Sequence, residues 1–555
     1  MKCGSVGPRF GMIVLAIICV SLPGARELQG QGGEPRSFAI SGAKVVPVSG
    51  PVLEAATVVV SHGLIVAVGK EVTIPADAWV IEGKGLTVYP GFIDAFTDVG
   101  IAAAQSDSEG KGKQPPLSKG PEDRPSTTPW RNAADELNIN DPRIETWRSA
   151  GFTTTVSAPK GGIFPGQAAV LDLAGERPGN FVVKEPTAIP VSLEAPGGFR
   201  SYPGSLMGAI AYVRQVGIDT NWSTQAAAAY EISPRGMERP RYDRTEATLT
   251  DAFGKHEVVL LPGNTSLQIR RALRLAAEWK WNAVIYGCQM GYEVAPELAA
   301  KKTAVLVDLK WPEADKDGDP EAETSLRTLR FRDRAPSSPA ALQKAGVKFA
   351  FYSGGITTPK DLLPAVKKSI DAGLAPDAAL RALTLSPAEI YGIAERLGSI
   401  EKGKIANLVV TDGDIFDKKT KVKIVFVDGR KFEVREPQRP SDPPKGDLTG
   451  KWKLTYTTPE GQEESTADLL MASDGTLTGT LTNQRGTGTI FSGYLSGDKF
   501  SFTINIPIEG SPQDVHFNGT FDGTTLKGTI GTMGYSFDFT GTKPGTAATL
   551  SGGAK

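Results

Sequence analysis

The sequence is short of the residue types that enzymes use most for metal binding and nucleophilic catalysis. Its 555 residues include three cysteines and three histidines, which are His62, His256 and His516. The formal net charge is −1, so no positive excess indicates a nucleic acid or an anionic membrane surface as partner. The apolar and charged fractions, 40% and 22%, are typical of globular proteins. A chain of this length predicts about three domains.

The N-terminus lacks an apolar run long enough to cross a bilayer, which takes about 20 residues. Lys2 and Arg9 flank the start of a shorter apolar run at 11–22, and the small residues Gly24 and Ala25 follow it. This order is typical of a secretory signal peptide, here residues 1–30. We therefore predict export to the periplasm or the extracellular space. The less favoured alternative is a membrane anchor formed by an uncleaved signal.

Cysteine chemistry is almost excluded from the mature chain. Cys3 and Cys19 lie in the signal peptide, and Ile18 before Cys19 disfavours a lipoprotein signal. Cys288 then remains alone, so no internal disulfide can form, and a small buried residue is the favoured interpretation. A serine or cysteine nucleophile needs a neighbouring base, and no histidine is placed to serve Cys288 or Ser353.

The pattern of strands and turns divides the remaining chain into four parts. β-Branched runs broken by Gly and Pro begin and end the longest part, and a Pro-rich stretch, "EPQRPSDPPKGD", precedes the last one. The predicted parts are a flanking β-sheet domain (37–89 and 398–435), a barrel domain (90–397), a linker (436–447) and a C-terminal β domain (448–545).

The barrel domain alternates apolar strands with amphipathic helices. Strands are predicted at 92–93, 151–159, 256–263, 282–287, 303–309 and 347–355. The clearest helix is 266–281, where apolar residues recur at helical spacing. Repeated βα units predict a parallel sheet, and about 300 residues fit a (β/α)₈ barrel better than an open sheet. The polar, Gly- and Pro-rich residues 104–129 are predicted to form a flexible loop beside the site face of that barrel.

The C-terminal domain has a different pattern of about eight short alternating strands separated by tight turns. Stretches such as "GTLTGTLTN" and "DVHFNGTFDG" indicate an up-and-down antiparallel barrel or a compact sandwich. Such a barrel either holds a small ligand or is filled by its own side chains. The filled, accessory barrel is the favoured interpretation.

Four stretches of the sequence resemble a known family. They are "VYPGFIDAFTDVG", "SAGFTTTVSAP", "LQKAGVKFAFYSGG" and "ALRALTLSPAEIYGIAERLGSIEKGKIANLVVTDGD". Over about residues 37–435 the chain is similar to the amidohydrolase superfamily, and within it to imidazolonepropionase-like members. The resemblance implies a (β/α)₈ barrel with a flanking sheet built from both ends of this region. It also implies hydrolysis of non-peptide C–N bonds by water bound to zinc or another divalent metal.

The metal ligands of that family are replaced in this sequence. Its His-x-His pair falls on Phe96 and Asp98, which lie two residues apart and so point the same way on a strand. Its two later histidines fall on Pro262 and Tyr286, and the aspartate of its last strand falls on Gly354. The resemblance therefore implies the fold without the residues of the usual chemistry.

The three histidines exclude a histidine-based metal site independently of any alignment. His62 lies in the predicted flanking sheet, and His516 lies in the C-terminal domain. His256 precedes its strand and so belongs at the opposite end of the barrel from the site. They cannot converge on one ion in one barrel mouth, and we interpret all three as surface or turn residues.

Oxygen ligands are the remaining possibility for a metal, and they suit Ca²⁺ or Mg²⁺ better than Zn²⁺. Polar residues at predicted strand ends are Asp98, Asn264, Asp308 and Ser353. Asp98 and Asp308 are weak metal candidates, Asn264 and Ser353 are candidates to line the mouth, and Asp94 is predicted to hold backbone structure. The acidic run 315–323 lacks the spacing of a calcium loop and is interpreted as a solvated loop.

The sequence leaves three functional hypotheses. The favoured one is an exported pseudoenzyme that needs no cofactor and binds a small molecule or a partner, either as a homo-oligomer or with an intact amidohydrolase homologue. The second is an active hydrolase of amide or cyclic-amide bonds with a non-standard metal site. The third is a binding module led by the C-terminal β domain.

Overall fold

The computed structural model describes residues 37–101, 124, 126–194, 203–314, 323–434 and 442–543, with short internal gaps at 459–460, 473, 484–485, 509–510 and 533–534. The predicted signal peptide lies outside the described residues. So do most of the loop 104–129, most of the acidic run 315–323 and the first half of the linker 436–447. The described chain forms two compact units, each presented by itself below.

The first unit contains a flanking sheet, which is built from strands at both ends of the region 37–435. The strand order is β16-β15-β14-β5-β1-β2-β3, and β4 pairs with β1 beside this path. Strand β14 runs antiparallel to β5, so the returning chain pairs with the strand that leads into the barrel. The strands are β1 (Ser37–Val45), β2 (Leu53–Ser61), β3 (Leu64–Gly69), β4 (Trp79–Glu82), β5 (Thr87–Pro90), β14 (Leu408–Thr411), β15 (Val422–Val427) and β16 (Arg430–Glu433).

The barrel consists of eight strands that pair in chain order, from β6 to β13. Across the seam between the first and last strands, the Ser353 N–H donates to Asp94 Oδ1 at 3.0 Å, so the barrel is nearly closed. The predicted fold class is thus confirmed. The strands are β6 (Phe92–Thr97), β7 (Phe152–Ser157), β8 (Ala168–Asp172), β9 (Val182–Pro190), β10 (Val258–Gly263), β11 (Asn282–Gly287), β12 (Ala304–Asp308) and β13 (Phe349–Tyr352).

One barrel strand departs from the parallel sheet that the sequence predicts. Strand β8 is antiparallel to both β7 and β9, whereas the other neighbouring pairs run parallel. The connection 158–167 from β7 is rich in Gly and Pro and is too short for the crossover helix that a parallel pair needs. The chain therefore turns back directly, and β8 and β9 were not predicted from the pattern.

Helices surround the barrel, and α5 shows why the sequence forms them. Thr265 and Gln268 form a capping box at its start, its buried residues lie on one face, and Lys280 ends it in a left-handed conformation. The helices are α1 (Pro142–Ser149), α2 (Pro178–Phe181), α3 (Leu206–Ile232), α4 (Arg244–Gly254), α5 (Ser266–Trp279), α6 (Ala295–Ala300), α7 (Leu326–Arg334), α8 (Ser338–Lys344), α9 (Leu362–Asp371), α10 (Pro376–Leu383) and α11 (Leu385–Ile390). In the described part of the chain, no helix is both long and apolar enough to cross a membrane.

A buried polar network joins the flanking sheet to the end of the barrel opposite its mouth. Asp172 Oδ1, at the end of β8, accepts hydrogen bonds from Thr154 Oγ1 at 2.8 Å and from Asn407 Nδ2 at 2.7 Å. Asn407 directly precedes β14, and its Oδ1 accepts the Asp428 N–H at 2.7 Å. Burial raises the pKa of Asp172 to about 7 against these hydrogen bonds. The network therefore contains a carboxyl group that favours its neutral form.

The second unit is a closed antiparallel barrel of eight strands, as the sequence predicts. Alternate residues point inward and form one apolar cluster that includes Trp452 and the stacked rings of Phe502 and Phe517. This packing favours the filled interpretation over a ligand-holding barrel. The strands are β17 (Gly450–Thr458), β18 (Gly461–Met471), β19 (Thr476–Asn483), β20 (Gly486–Ser496), β21 (Lys499–Ile508), β22 (Ser511–Phe521), β23 (Thr525–Thr532) and β24 (Tyr535–Thr542).

Candidate functional site

Three aromatic rings meet where the C-terminal ends of the barrel strands form the barrel mouth. Phe96 on β6 lies 5.1 Å from Tyr286 on β11 and 5.9 Å from Tyr352 on β13, measured between ring centroids. Tyr286 and Tyr352 are 6.4 Å apart. These three residues, the aromatic trio, pack against the barrel core. Two of the predicted ligand positions are therefore brought together, as rings in contact with each other.

The hydroxyl groups of the two tyrosines in the trio contact other residues of the barrel. Tyr286 Oη donates to the Val191 carbonyl at 3.2 Å, and Tyr352 Oη makes a longer contact of 3.4 Å to Asp308 Oδ2. Burial raises the pKa of both tyrosines, so both remain protonated near neutral pH. The trio is thus an uncharged cluster of rings at the mouth.

Asp98 lies at the mouth with both carboxylate oxygens in ion pairs. Arg143 Nη1 is 3.0 Å from Oδ1, and Lys160 Nζ is 2.8 Å from Oδ2. Burial by itself would raise the pKa of Asp98, but Lys160 and Arg143 outweigh it, and the pKa lies below its usual value. Arg143 is held in place in turn by Asp141 at 2.7 Å. Asp98 is therefore an anion already neutralised by two cations.

Sequence reasoning missed both cations. Lys160 lies in "KGGIFPGQ", which the sequence shows only to lack the ending of a phosphate-binding loop. Arg143 lies in the first turn of α1, far along the chain from Asp98. Neither position carries a local signal that would have identified it.

The Asp308 carboxylate fills the space at the mouth that a side chain at Gly354 would need. A Cβ atom on Gly354 would lie 1.8 Å from Asp308 Oδ1, and Gly354 has a φ of +59°. Asp308 Oδ1 accepts the Lys310 N–H at 2.7 Å, so its side chain is pinned. The Asp308 carboxylate on β12 can therefore occupy this position only because residue 354, after the last strand, has no side chain. Burial raises the pKa of Asp308 to about 7, and the Lys310 N–H lowers it by less.

Asp94 connects the first strand to two other parts of the barrel, in the backbone role that the sequence predicts. It is 1% exposed, accepts the Trp147 Nε1–H at 3.1 Å on Oδ2 and accepts the Ser353 N–H on Oδ1. Burial raises its pKa to about 6, against these hydrogen bonds. Both oxygens are used, so Asp94 closes the barrel seam, and Ser353 is buried beside it.

Two other predicted positions, Pro262 and Asn264, lie near the C-terminal end of β10 and are not part of a group of metal ligands. Pro262 pairs with Tyr286 across β10 and β11. Asn264 exchanges hydrogen bonds with Gln289, whose side chain also donates to the Lys310 carbonyl at 2.6 Å. Gln289 is a buried polar residue that sequence reasoning missed. Together these contacts fix the loops after three successive strands.

The residues that nucleophilic or histidine chemistry would need lie apart. His62 is in the turn after β2, His256 is in the turn before β10, and His516 is on β22 in the second unit. Cys288 is fully buried, and its Sγ contacts the Ile285 carbonyl at 3.5 Å. Burial raises the pKa of this thiol, which keeps it protonated and unreactive.

The divalent metal that the family typically uses does not fit the residues of this mouth. Such a site needs several His or carboxylate ligands that converge with free lone pairs. Here two of the predicted ligand positions, Phe96 and Tyr286, carry packed rings, and the Asp98 carboxylate is paired with two cations. Within the described ranges, no group of three or more His, Cys, Asp or Glu residues could hold a metal ion.

Comparisons with known proteins agree with the barrel and its flanking sheet. The model of the amidohydrolase family matches residues 317–435. A crystal structure of an amidohydrolase from Thermotoga maritima MSB8 is 25% identical, with a TM-score of 0.59, and the match covers 71% of this chain and 100% of that one. Residues 317–435 thus match the amidohydrolase family, and the barrel with its flanking sheet has the fold of that superfamily.

Other solved amidohydrolase-fold structures are more distant. A prolidase complexed with N-methylphosphonate-L-proline is 19% identical, with a TM-score of 0.44, covering 72% of this chain and 100% of that one. An adenosine deaminase from Xanthomonas campestris with bound zinc is 16% identical, with a TM-score of 0.40, covering 72% and 93%. No curated protein matches the chain. The narrower resemblance to imidazolonepropionases stays a prediction.

Proposed function

We propose that this protein of the amidohydrolase fold is an exported pseudoenzyme, which acts by binding a small molecule or a partner and not by metal-dependent hydrolysis. The observation that carries the proposal is the aromatic trio, because Phe96 and Tyr286 stand at ligand positions and contact each other at 5.1 Å. Export follows from the predicted signal peptide. An intact homologue of the same fold is one candidate partner.

The electrostatics of the mouth support the proposal. Metal-activated water requires ligands that leave the ion exposed to substrate. A cation brought to Asp98 would have to displace Lys160 and Arg143, which already neutralise it. Restoring one histidine at position 96 would leave Pro262 and Gly354 unable to supply a ligand. Loss of the metal site is therefore spread over several strands.

A second candidate function is hydrolysis of amide or cyclic-amide bonds by a non-standard site. Asp308 favours it, because a buried carboxyl with a pKa near 7 can exchange a proton at neutral pH. The hydrogen bond from Lys310 and the contact with Tyr352 hold this group at the mouth. The packed C-terminal barrel offers less support for the third hypothesis, a module led by that domain.

Metal analysis and amidase assays decide between these functions. We expect the full chain, purified from metal-replete medium, to carry no stoichiometric zinc, manganese, magnesium or calcium. We also expect Asp98→Ala to leave the metal content unchanged, since Asp98 binds Lys160 and Arg143 and not an ion. An amidohydrolase with intact His-x-His ligands, purified in parallel, is the positive control.

The opposite results have distinct meanings. A stoichiometric ion that is lost on Asp98→Ala would refute the pseudoenzyme proposal. Hydrolysis of cyclic amides above background that Asp308→Asn abolishes would also refute it and would establish the second candidate. Persistence of the activity in Asp308→Asn would exclude Asp308 as the group that carries it.

A further inference from the structure

Helix α3 has one side packed against its neighbours, which include α4 and α5, and one side exposed. Its buried residues are Ala209, Tyr212, Val213, Val216, Gly217 and Thr220, which all lie on one face of its first half. Residues 221–232 contain no buried side chain. The helix therefore continues for three turns beyond its last buried residue.

The exposed side of α3 carries large apolar residues. Met207, Ile218, Trp222 and Ile232 are 81%, 53%, 68% and 86% exposed. At about 100° per residue they fall within an arc of about 80°, so they form one stripe opposite the buried face. We call these four residues the outer stripe.

The packed half of α3 holds the outer stripe in a fixed position. A Cβ on Gly217 would lie 2.9 Å from the Trp279 ring, which shows how closely the helix approaches α5. Arg214 makes a bidentate ion pair with Glu278, also on α5, at 2.9 to 3.0 Å. A preorganised apolar face loses little freedom when a partner covers it.

The charge pattern of α3 indicates what kind of partner fits. No charged residue occurs between Asp219 and Glu231. A charged partner such as a nucleic acid or an acidic protein would find nothing to pair with along this stretch. A second copy of α3 presents the same uncharged surface, so neither copy would bury an unpaired charge.

Size and spacing also suit a second copy. The exposed parts of Ile218, Trp222 and Ile232 together offer on the order of 400 Å², half of the about 800 Å² per partner that a stable interface buries. Alternating steps of four and three residues, typical of a coiled-coil seam, relate five residues on this side of the helix. They are Ile218, Trp222, Gln225, Ala229 and Ile232.

We propose that α3 packs antiparallel against α3 of a second copy of this chain, making a two-fold symmetric dimer through the outer-stripe residues Ile218, Trp222 and Ile232. In this arrangement Ile218 lies opposite Ala229 of the second copy, and Trp222 lies opposite Gln225 of the second copy. Large side chains thus face smaller ones, and each contact occurs twice. The inference does not depend on the chemistry of the barrel mouth.

Sedimentation equilibrium of the full chain tests this dimer. We expect a dimer at micromolar concentration, and we expect Ile218→Asp with Trp222→Asp to raise the dissociation constant roughly 100-fold or more. Both residues are exposed, so circular dichroism should show an unchanged fold. Leu470→Asp is the matched control, because Leu470 is 60% exposed on the C-terminal barrel and should leave the dimer intact.

Cysteine pairing tests the antiparallel orientation. Chains carrying Ile218→Cys should form a disulfide with chains carrying Ala229→Cys, while neither variant should cross-link with itself. Cys288 is buried and should not interfere. A monomeric natural chain, a dimer that survives the Asp substitutions, or cross-linking of Ile218→Cys with itself would each overturn the proposal. Co-sedimentation of a monomeric chain with phosphatidylcholine vesicles would assign the stripe to a lipid surface instead.

Discussion

Replacing Gly354 with alanine is expected to lower the free energy of unfolding by about 3 to 5 kcal/mol. Two effects add, because the left-handed φ of +59° disfavours any side chain and the new Cβ would lie 1.8 Å from Asp308 Oδ1. Asp308 could move only by losing its hydrogen bond from Lys310. Urea denaturation followed by tryptophan fluorescence measures the change.

Two further variants separate the clash from the backbone strain. Gly346 also has a left-handed φ, of +73°, but a Cβ there would meet nothing within 4 Å. Gly346→Ala should therefore cost only about 1 to 2 kcal/mol. In an Asp308→Ala background, Gly354→Ala should cost no more than Gly346→Ala does. If the cost of Gly354→Ala is the same with and without Asp308, the two positions do not compete for one place.

The difference in unfolding free energy between Asp172→Asn and the natural chain is expected to change with pH. Between pH 5 and pH 8 it should shift by about 3 kcal/mol in favour of the variant. Burial raises the pKa of Asp172 from 3.8 to about 7, so the folded state favours the neutral group. Asparagine is neutral at every pH and keeps the oxygen that accepts from Thr154 and Asn407. Urea denaturation at a series of pH values measures the difference.

The sign follows from proton linkage. The folded pKa is above the unfolded one, so the stabilisation from neutral Asp172 is complete below about pH 4 and is lost as the pH rises through 7, with a slope of up to about 1.4 kcal/mol per pH unit. Asp77→Asn is the matched control, because Asp77 is exposed and lies outside the buried network around Asp172. A difference between Asp172→Asn and the natural chain that does not change with pH would contradict the prediction.

Local pattern predicted the regular parts of the fold. Strand β10 and helix α5 appear almost as their apolar spacing and capping residues indicate, because such elements depend on neighbours within one turn or one strand. Strand β8 and helix α3 were missed. The reversal of β8 depends on a short connection, and half of α3 has no buried face to impose a helical period on its sequence.

The sequence predicts which residues lie at the candidate site but not how they contact each other. It predicts Phe96 and Tyr286 as substituted ligand positions, and only the structure shows that their rings touch. It offers Asp98 as a free carboxylate, whereas the folded chain brings Lys160 and Arg143 to it. Contacts of this kind join strand ends that are far apart in the chain, so no local pattern records them.

The sequence by itself predicted that the barrel lacks histidine-based metal chemistry and which superfamily the barrel resembles. Its three histidines are spread over three predicted regions, so they are not expected to converge within about 2 Å of one ion. Tertiary structure alone decided what occupies the mouth instead. The aromatic trio, the paired Asp98 and the shared place of Gly354 and Asp308 exist only because closing the barrel brings distant strand ends within contact distance.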